Sequence, residues 1–595
     1  QKKLRQADRL ASGSLVLLTG AAGTGKTHLL CDIAQQRIAA GKPTVLLMGQ
    51  RFGDADPWGQ ALRQLDLASL RAEEFVGALE AVAQAADCRA LLIIDALNEG
   101  EGKRIWPSNL AAFLAQVARS PWIAVALSIR SSYVDSVIPA EVQKEAACIV
   151  HEGFAGHEYD AARTFFVHYG LEFPSTPLLA PEFRIPLFLK TLCAGLQQRG
   201  ERRLPRGFHG ITAIFAQYLE AINKLLSSSL GFNPKTPLVL RALESFCNVL
   251  VTRKQRGLPT EQAADVINAF LPGREFERSL YRGLVTEGIL IEEIVQPDDG
   301  AAQEVVFISY ERFADHLIAK TLLDKFLDPA NPANAFSDGQ PLAFLADSES
   351  DVEQGLIEAM CIQVPERTGR EFFAIAPRAL ENEENGAAFR ESLMWRATSA
   401  ITDETRDIMN KLCDSEHALH STLDALMTLA SLPEHPLNAT FLDRRLRKDS
   451  MAIRDAWWSV YLHYTWGSRD AVDRLVDWAS AIAPGAALDE DVTDLCATAL
   501  AWMLTTSNRF LRDRATKALV CLLTGRIPAV IRLIERFADV DDPYVTERIF
   551  AVAYGTAMRC HDRTEIGPLT KGVYARVFEG GRPPVHILLR DYARG

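Results

Sequence analysis

Two stretches of this 595-residue chain carry residue types at spacings suited to holding a phosphate chain and its metal counter-ion. GAAGTGKT, Gly20 to Thr27, fits G-x-x-x-x-G-K-[ST] and stands between the apolar run LVLLT and the helical stretch THLLCDIAQQRIAA. Glycines at Gly20, Gly23 and Gly25 let main-chain N–H groups, including those at Ala21, Ala22 and Thr24, close on phosphate oxygens. The helix that follows adds the partial positive charge of its N-terminus, and His28 falls in its first turn. In such a loop Lys26 reaches the β- and γ-phosphates and the Thr27 hydroxyl ligates Mg²⁺.

The second stretch, LLIIDALNEG, is an apolar strand that ends in Asp95. One carboxylate delivered by a buried strand suits Mg²⁺, which keeps several waters and takes few direct protein ligands. Asp95 is therefore the expected second metal residue beside Thr27. Glu99, just past the strand end, either orients or deprotonates the water attacking the γ-phosphate, or is a solvated loop acid near Glu101. Arg130 ends WIAVALSIR at the same carboxyl edge, as a γ-phosphate sensor or as a surface ion pair. The expected cofactors are ATP/ADP and Mg²⁺, with Lys26, Asp95, Glu99 and Arg130 as the catalytic set of an ATPase.

These residues need a scaffold. From Ser14 to about Val150 short apolar strands alternate with helical stretches, which predicts a parallel, doubly wound sheet. The expected strands are Leu15–Thr19, Thr44–Met48, Ala90–Asp95, Trp122–Ile129 and Cys148–Val150. Apolar residues at three- and four-residue spacing in HEYDAARTFFVHY and FLKTLCAGLQQ then predict a helical subdomain. Three short helices, ILIEEI, the polar turn QPDDGAAQ with Pro297 and Gly300, and VVFIS outline a winged helix, its hairpin pairing Ile289–Ile294 with Val305–Ser309. Beyond about Asp328 only helical periodicity remains. MAIRDAWWSVYL and RFLRDRATKALVCLL each carry Arg-Asp in a helix that turns apolar, so TPR/HEAT-like helix pairs are expected, with a compact bundle as the alternative. The expected fold is multidomain, α/β plus α: a P-loop NTPase domain over 1–156, a helical subdomain over 157–236, a winged helix over 237–328 and a helical repeat region over 329–595.

Composition narrows the partners. A formal charge of −12 offers no basic footprint for nucleic acid, so a protein partner is expected. The winged-helix segment REFERSLYRGL has mixed charge and suits an interdomain clamp better than a DNA reader. Ten cysteines lie singly from Cys31 to Cys560 with no C-x-x-C pair, which fits reduced thiols and a cytoplasmic location. The longest uncharged apolar run, Leu495 to Asn508, falls short of the roughly 18 residues a membrane span needs. The chain starts at Gln1 and ends in LLRDYARG, in what reads as a helix, so a fragment lacking flanking domains is expected. Trp457, Trp458, Tyr461 and Tyr464 mark either a recognition surface or a helical core.

GAAGTGKT, LLIIDALNEG and LSIR in this order resemble the NACHT-type STAND NTPases, regulatory relatives of the AAA+ ATPases. RIPLFLKTLCAGL resembles the family's N-P-L-x-L segment, in which the proline packs on adenine. Pro186 holds that position, and a proline opening a helix is the other reading. FISYERFADHLIA resembles the end of the family's winged helix, F-x-H-x-x-F-x-E-F, with Tyr310 in place of the histidine that closes on the diphosphate. Tyr310 either donates its hydroxyl to phosphate or packs in the winged-helix core. Phe313 and Asp315 follow in register, His316 is a helix residue, and Asn98 stands where the family usually has an acid.

Within the family, IIDALNE, ERFADHLIA, HPLNATFLDRRLRKDSMAIRDAWW and DDPYVTERIFAVAYG look like the bacterial Avs (AVAST) antiphage proteins. The resemblance implies an N-terminal effector, absent from this stretch, and a C-terminal array that binds a phage protein such as the terminase or portal. It also implies homo-oligomerisation on activation, a tetramer among the candidate assemblies. Neither membrane nor direct nucleic-acid binding is expected. The rivals are a constitutive AAA+ remodelling or motor ATPase and a helical scaffold with a structural nucleotide.

Overall fold

The computed structural model describes the chain apart from residues 1–12, 21–23, 53–55, 99–101, 180, 199, 204–209, 296–302, 348–353, 382, 416, 484 and 561–562. Ala21, Ala22, Gly23 and Glu99, all expected site residues, therefore lie outside the described residues, as do Glu101 and the turn with Pro297 and Gly300. The chain folds into two compact units. One comprises 1–155, 184–188 and 252–310, the other 156–183, 189–251 and 311–595.

The first unit is built on five parallel strands: β1 (Leu15–Thr19), β2 (Thr44–Met48), β3 (Ala90–Asp95), β4 (Ile123–Ser128) and β5 (Ala147–Val150). They run in the order β2-β3-β4-β1-β5, so the chain leaves β1 for the far edge and returns strand by strand to β1's flank before adding β5 on its other side. Near-continuous apolar runs such as LVLLT and ALLIID suit strands covered on both faces. Alternation sends Leu17, Leu92, Ile94, Val125 and Leu127 into a large core under helices Pro57–Gln64, Ala72–Ala85 and Gly102–Val117. There Trp58 stacks on Phe113 at 4.1 Å and Phe52 meets Trp106 edge-on at 5.0 Å. Leu18, Ile93 and Ala126 point the other way, onto Leu30 and Ala34 of helix Lys26–Ala39. The carboxyl ends of β1, β3 and β4 share one edge, where an open α/β sheet places its ligand.

The same unit carries a three-stranded antiparallel sheet, β6 (Leu258–Pro259), β7 (Leu290–Val295) and β8 (Gln303–Ile308), in the order β6-β8-β7. Helices Thr260–Asn268 and Leu280–Thr286 precede the β7–β8 hairpin, or wing, in the helix-then-hairpin order read from the sequence, while 238–251 and 311–328 of the expected 237–328 domain belong to the other unit. Two-residue β6 is an addition, too short to leave a period-2 pattern.

The second unit contains helices and no strand among the described residues. From Ala471 onward each helix packs on the helix two places further along: Ala471–Ser480 on Arg509–Leu523, Glu490–Trp502 on Ile527–Arg536, and Arg509–Leu523 on Pro543–Arg559. That two-layer stacking is the arrangement of a helical repeat array. The two Arg-Asp stretches differ in the second unit. Arg454 is 1% exposed, bonded to the Asp541 carbonyl and to Asp542, and a π-helical turn, Asp455–Ser459, follows it. Arg512 instead lies over the Tyr544 ring. Trp458 and Tyr461 are core, stacked at 5.4 Å, whereas Tyr464 is 71% exposed. No described helix is long and apolar enough to cross a membrane.

Candidate functional site

The phosphate-loop sequence joins β1 to helix Lys26–Ala39. Gly25 stands at the head of that helix with φ 93°, a left-handed conformation that costs glycine little and other residues more. At Gly20 the reason for glycine is space, since a Cβ there would sit 2.7 Å from the His151 carbonyl oxygen. That carbonyl belongs to the residue after β5, whose own N–H donates to the Thr19 carbonyl at 2.8 Å. The loop is thus braced by the chain emerging from β5.

Lys26 sits at the first helical position, and its ammonium donates to the Gly20 carbonyl at 2.8 Å. The ammonium is thereby held at Gly20, the first residue of the motif. Thr27 and His28 lie exposed in the first helical turn.

Across the sheet edge, β3 ends in Asp95, 1% exposed. Its Oδ1 accepts the Ser128 hydroxyl at 2.5 Å, and the Ser128 Oγ in turn accepts the Ala96 N–H at 2.8 Å. Ala96 has φ 56°, unusual for a residue with a Cβ, and the Ser128 bond helps hold it there. Asp95 Oδ2 is buried with no hydrogen-bond partner among the described residues. A buried polar oxygen left without a partner is costly unless a cation or a water takes the position. The Asp95 charge also reaches Cys31, whose thiol is pushed up first by burial and then by that carboxylate. Cys31 lies one turn beyond Thr27 on the same helix face. These donors, one threonine hydroxyl and one free carboxylate oxygen, fit a largely hydrated Mg²⁺.

Asn98 is 2% exposed, and its side-chain oxygen accepts the Arg130 N–H at 3.1 Å, fixing the chain just past β4. The Arg130 guanidinium donates to the Glu292 carbonyl of β7 at 3.3 Å. The Tyr133 hydroxyl donates to the same carbonyl, and the Tyr281 hydroxyl donates to the Glu292 carboxylate at 2.8 Å. Burial and the Glu292 charge both raise the Tyr281 pKa, so its hydroxyl stays a donor at neutral pH. Arg130 and Tyr133 thus tie the sheet edge to the wing.

Pro186 begins helix Pro186–Gln198. A Cβ on Gly25 would lie 3.6 Å from Pro186 Cγ and 3.8 Å from His151 Nε2, so both rings flank the head of the loop. Phe154 secures this segment by donating its N–H to the Arg184 carbonyl at 2.8 Å. Tyr310 follows β8, half-buried, immediately before helix Glu311–Phe326. In that helix Phe313 packs on Phe215 at 4.8 Å, and buried His316 is pushed down to about 3 by burial, Arg367 and Lys320. Sequence reasoning missed Ser128, Tyr133 and His151. Ser128 is the polar end of the apolar strand IAVALS and His151 directly follows β5, so each had a positional signal.

Loop sequence, strand order and the buried carboxylate at the shared edge define a P-loop NTPase fold. No protein-family model and no curated protein matches the chain. Solved structures resemble it in part. The Aeropyrum pernix ORC1 protein in complex with DNA is 15% identical with a TM-score of 0.27, covering 54% of this chain and 92% of that one. CDC6P from Pyrobaculum aerophilum is 14% identical with a TM-score of 0.22, covering 55% and 94%. Drosophila ORC bound to AT-rich DNA and Cdc6 is 13% identical with a TM-score of 0.18, covering 54% and 90%. Likeness at this level adds no weight, and the fold assignment rests on the site and the sheet.

Proposed function

We propose that this chain is a nucleotide-dependent switch of the STAND kind. It binds ATP or ADP with Mg²⁺ and couples recognition of a protein, by its C-terminal helices, to self-association and activation of an effector in antiviral defence. The nucleotide part is carried by one observation: the Lys26 ammonium and an Asp95 oxygen without a partner among the described residues stand at the same sheet edge. When bound, Mg²⁺ supplies charge neutralisation to the β- and γ-phosphates. The protein's share is to grip phosphate through loop amides and Lys26, to aim Asp95 through Ser128, and to hold a water through Glu99.

The switch part is supported by the wing, whose Glu292 carbonyl takes bonds from Arg130 and Tyr133 beside the site. A wing so held favours a closed state. Moving such an equilibrium almost fully to an open one takes on the order of 5 kcal/mol of differential affinity, which a large protein interface can supply. The sequence resemblance to antiphage proteins points to a terminase or portal as that ligand.

ATP turnover is expected to stay near background until a terminase large subunit or portal protein is added, and then to rise together with assembly. Glu99→Gln should trap the assembled, ATP-bound form. Constitutive turnover without any ligand favours the AAA+ motor reading, and a Glu99→Gln protein indistinguishable from the parent favours the scaffold.

A further inference from the structure

His151 touches the phosphate loop at both ends. Its carbonyl oxygen packs against Gly20, its ring is hydrogen-bonded to the main chain of Thr24, and its Nε2 lies beside Gly25. Its N–H donates to the Thr19 carbonyl of β1 at 2.8 Å, which anchors the main chain from which the ring reaches the loop. Lys26 faces it from the helix, Glu152 follows it in the chain and is exposed, and Arg184 offers its main chain to the neighbouring Phe154.

We propose that His151 is a positioning residue of the phosphate loop that takes up a proton when nucleotide phosphate binds, so that nucleotide affinity is linked to pH through this imidazole. The inference rests on the nucleotide reading above.

In this structure the imidazole is held below its ordinary range, first by burial and then by the Lys26 charge, while the bond to Thr24 works the other way. Phosphate in the loop reverses the local field. Its negative charge pairs with Lys26, removes that cation's repulsion and favours imidazolium. The bound-state pKa therefore lies above the free-state pKa. A group with that difference binds protons on complex formation, so affinity rises as pH falls through the window between the two values.

The test is ADP affinity at saturating Mg²⁺, measured from about pH 8 to about pH 6, for the parent and His151→Gln. Glutamine retains an amide for the Thr24 main chain and cannot take the charge. Differencing the two removes the titration of ADP itself. The parent should gain roughly three- to tenfold more affinity than the variant over that range. Equal gains overturn the inference and leave the nucleotide reading standing, whereas failure of the parent to bind ADP removes both. Should His151→Gln not fold, the imidazole NMR titration of His151 in the parent decides: its midpoint must move up on adding ADP, and an unmoved midpoint overturns the inference.

Discussion

Asp95→Asn is expected to abolish the Mg²⁺-dependent part of nucleotide affinity and to slow ATP turnover by about 10²- to 10³-fold, roughly 3–4 kcal/mol of barrier. The substitution is nearly isosteric. The side-chain oxygen can still accept the Ser128 hydroxyl, so the turn at Ala96 keeps its support. What changes is Oδ2, buried and without a partner among the described residues, which becomes an NH₂ group that cannot face a cation. ADP binding without metal should stay within about threefold of the parent. ADP titrations with and without Mg²⁺, alongside phosphate release, separate the two effects. A variant that keeps the parent's response to Mg²⁺ would show that Asp95 is only a buried structural acid.

The second large effect concerns the wing. Arg130→Ala combined with Tyr133→Phe removes these two donors to the Glu292 carbonyl while keeping Lys26, Thr27 and Asp95. Each bond contributes about 0.5–1.5 kcal/mol net, so the pair offers roughly 1–3 kcal/mol, enough for about a fivefold to 150-fold change in rate. If the wing holds the closed state, bound fluorescent ADP should leave the double variant faster by that factor in a stopped-flow chase. The Tyr281 bond to the Glu292 carboxylate remains, so β7 stays anchored to its own helix. An unchanged release rate would mean that the wing does not guard the nucleotide.

The five strands and the phosphate loop were legible because their signals are local: an apolar run, glycines where the backbone must turn tightly, then a helix start. Asp95 was legible for the same reason. Ser128 was not, because its role exists only once β3 and β4 lie side by side with Ile94 opposite Leu127, which brings the next residues together. His151 and Tyr133 depend likewise on strand order and on the wing, and neither is written in spacing along the chain. Asn98 read as a departure from an acidic pattern, and in the fold its amide oxygen anchors the Arg130 backbone. In the helical region the repeated Arg-Asp pair suggested equivalent helices. Burial separates them, since Arg454 is sealed among carbonyl and carboxylate groups while Arg512 stacks on a tyrosine.

Equilibrium binding of ATP and ADP to the parent and to Lys26→Ala is the measurement closest to the heart of this account. In the proposed switch the Lys26 ammonium, bonded to the Gly20 carbonyl, is the cation the phosphates meet. Its loss should weaken both nucleotides by about 10²-fold or more, roughly 3 kcal/mol, while thermal unfolding without nucleotide stays unchanged. Binding by Lys26→Ala as tight as by the parent would contradict it.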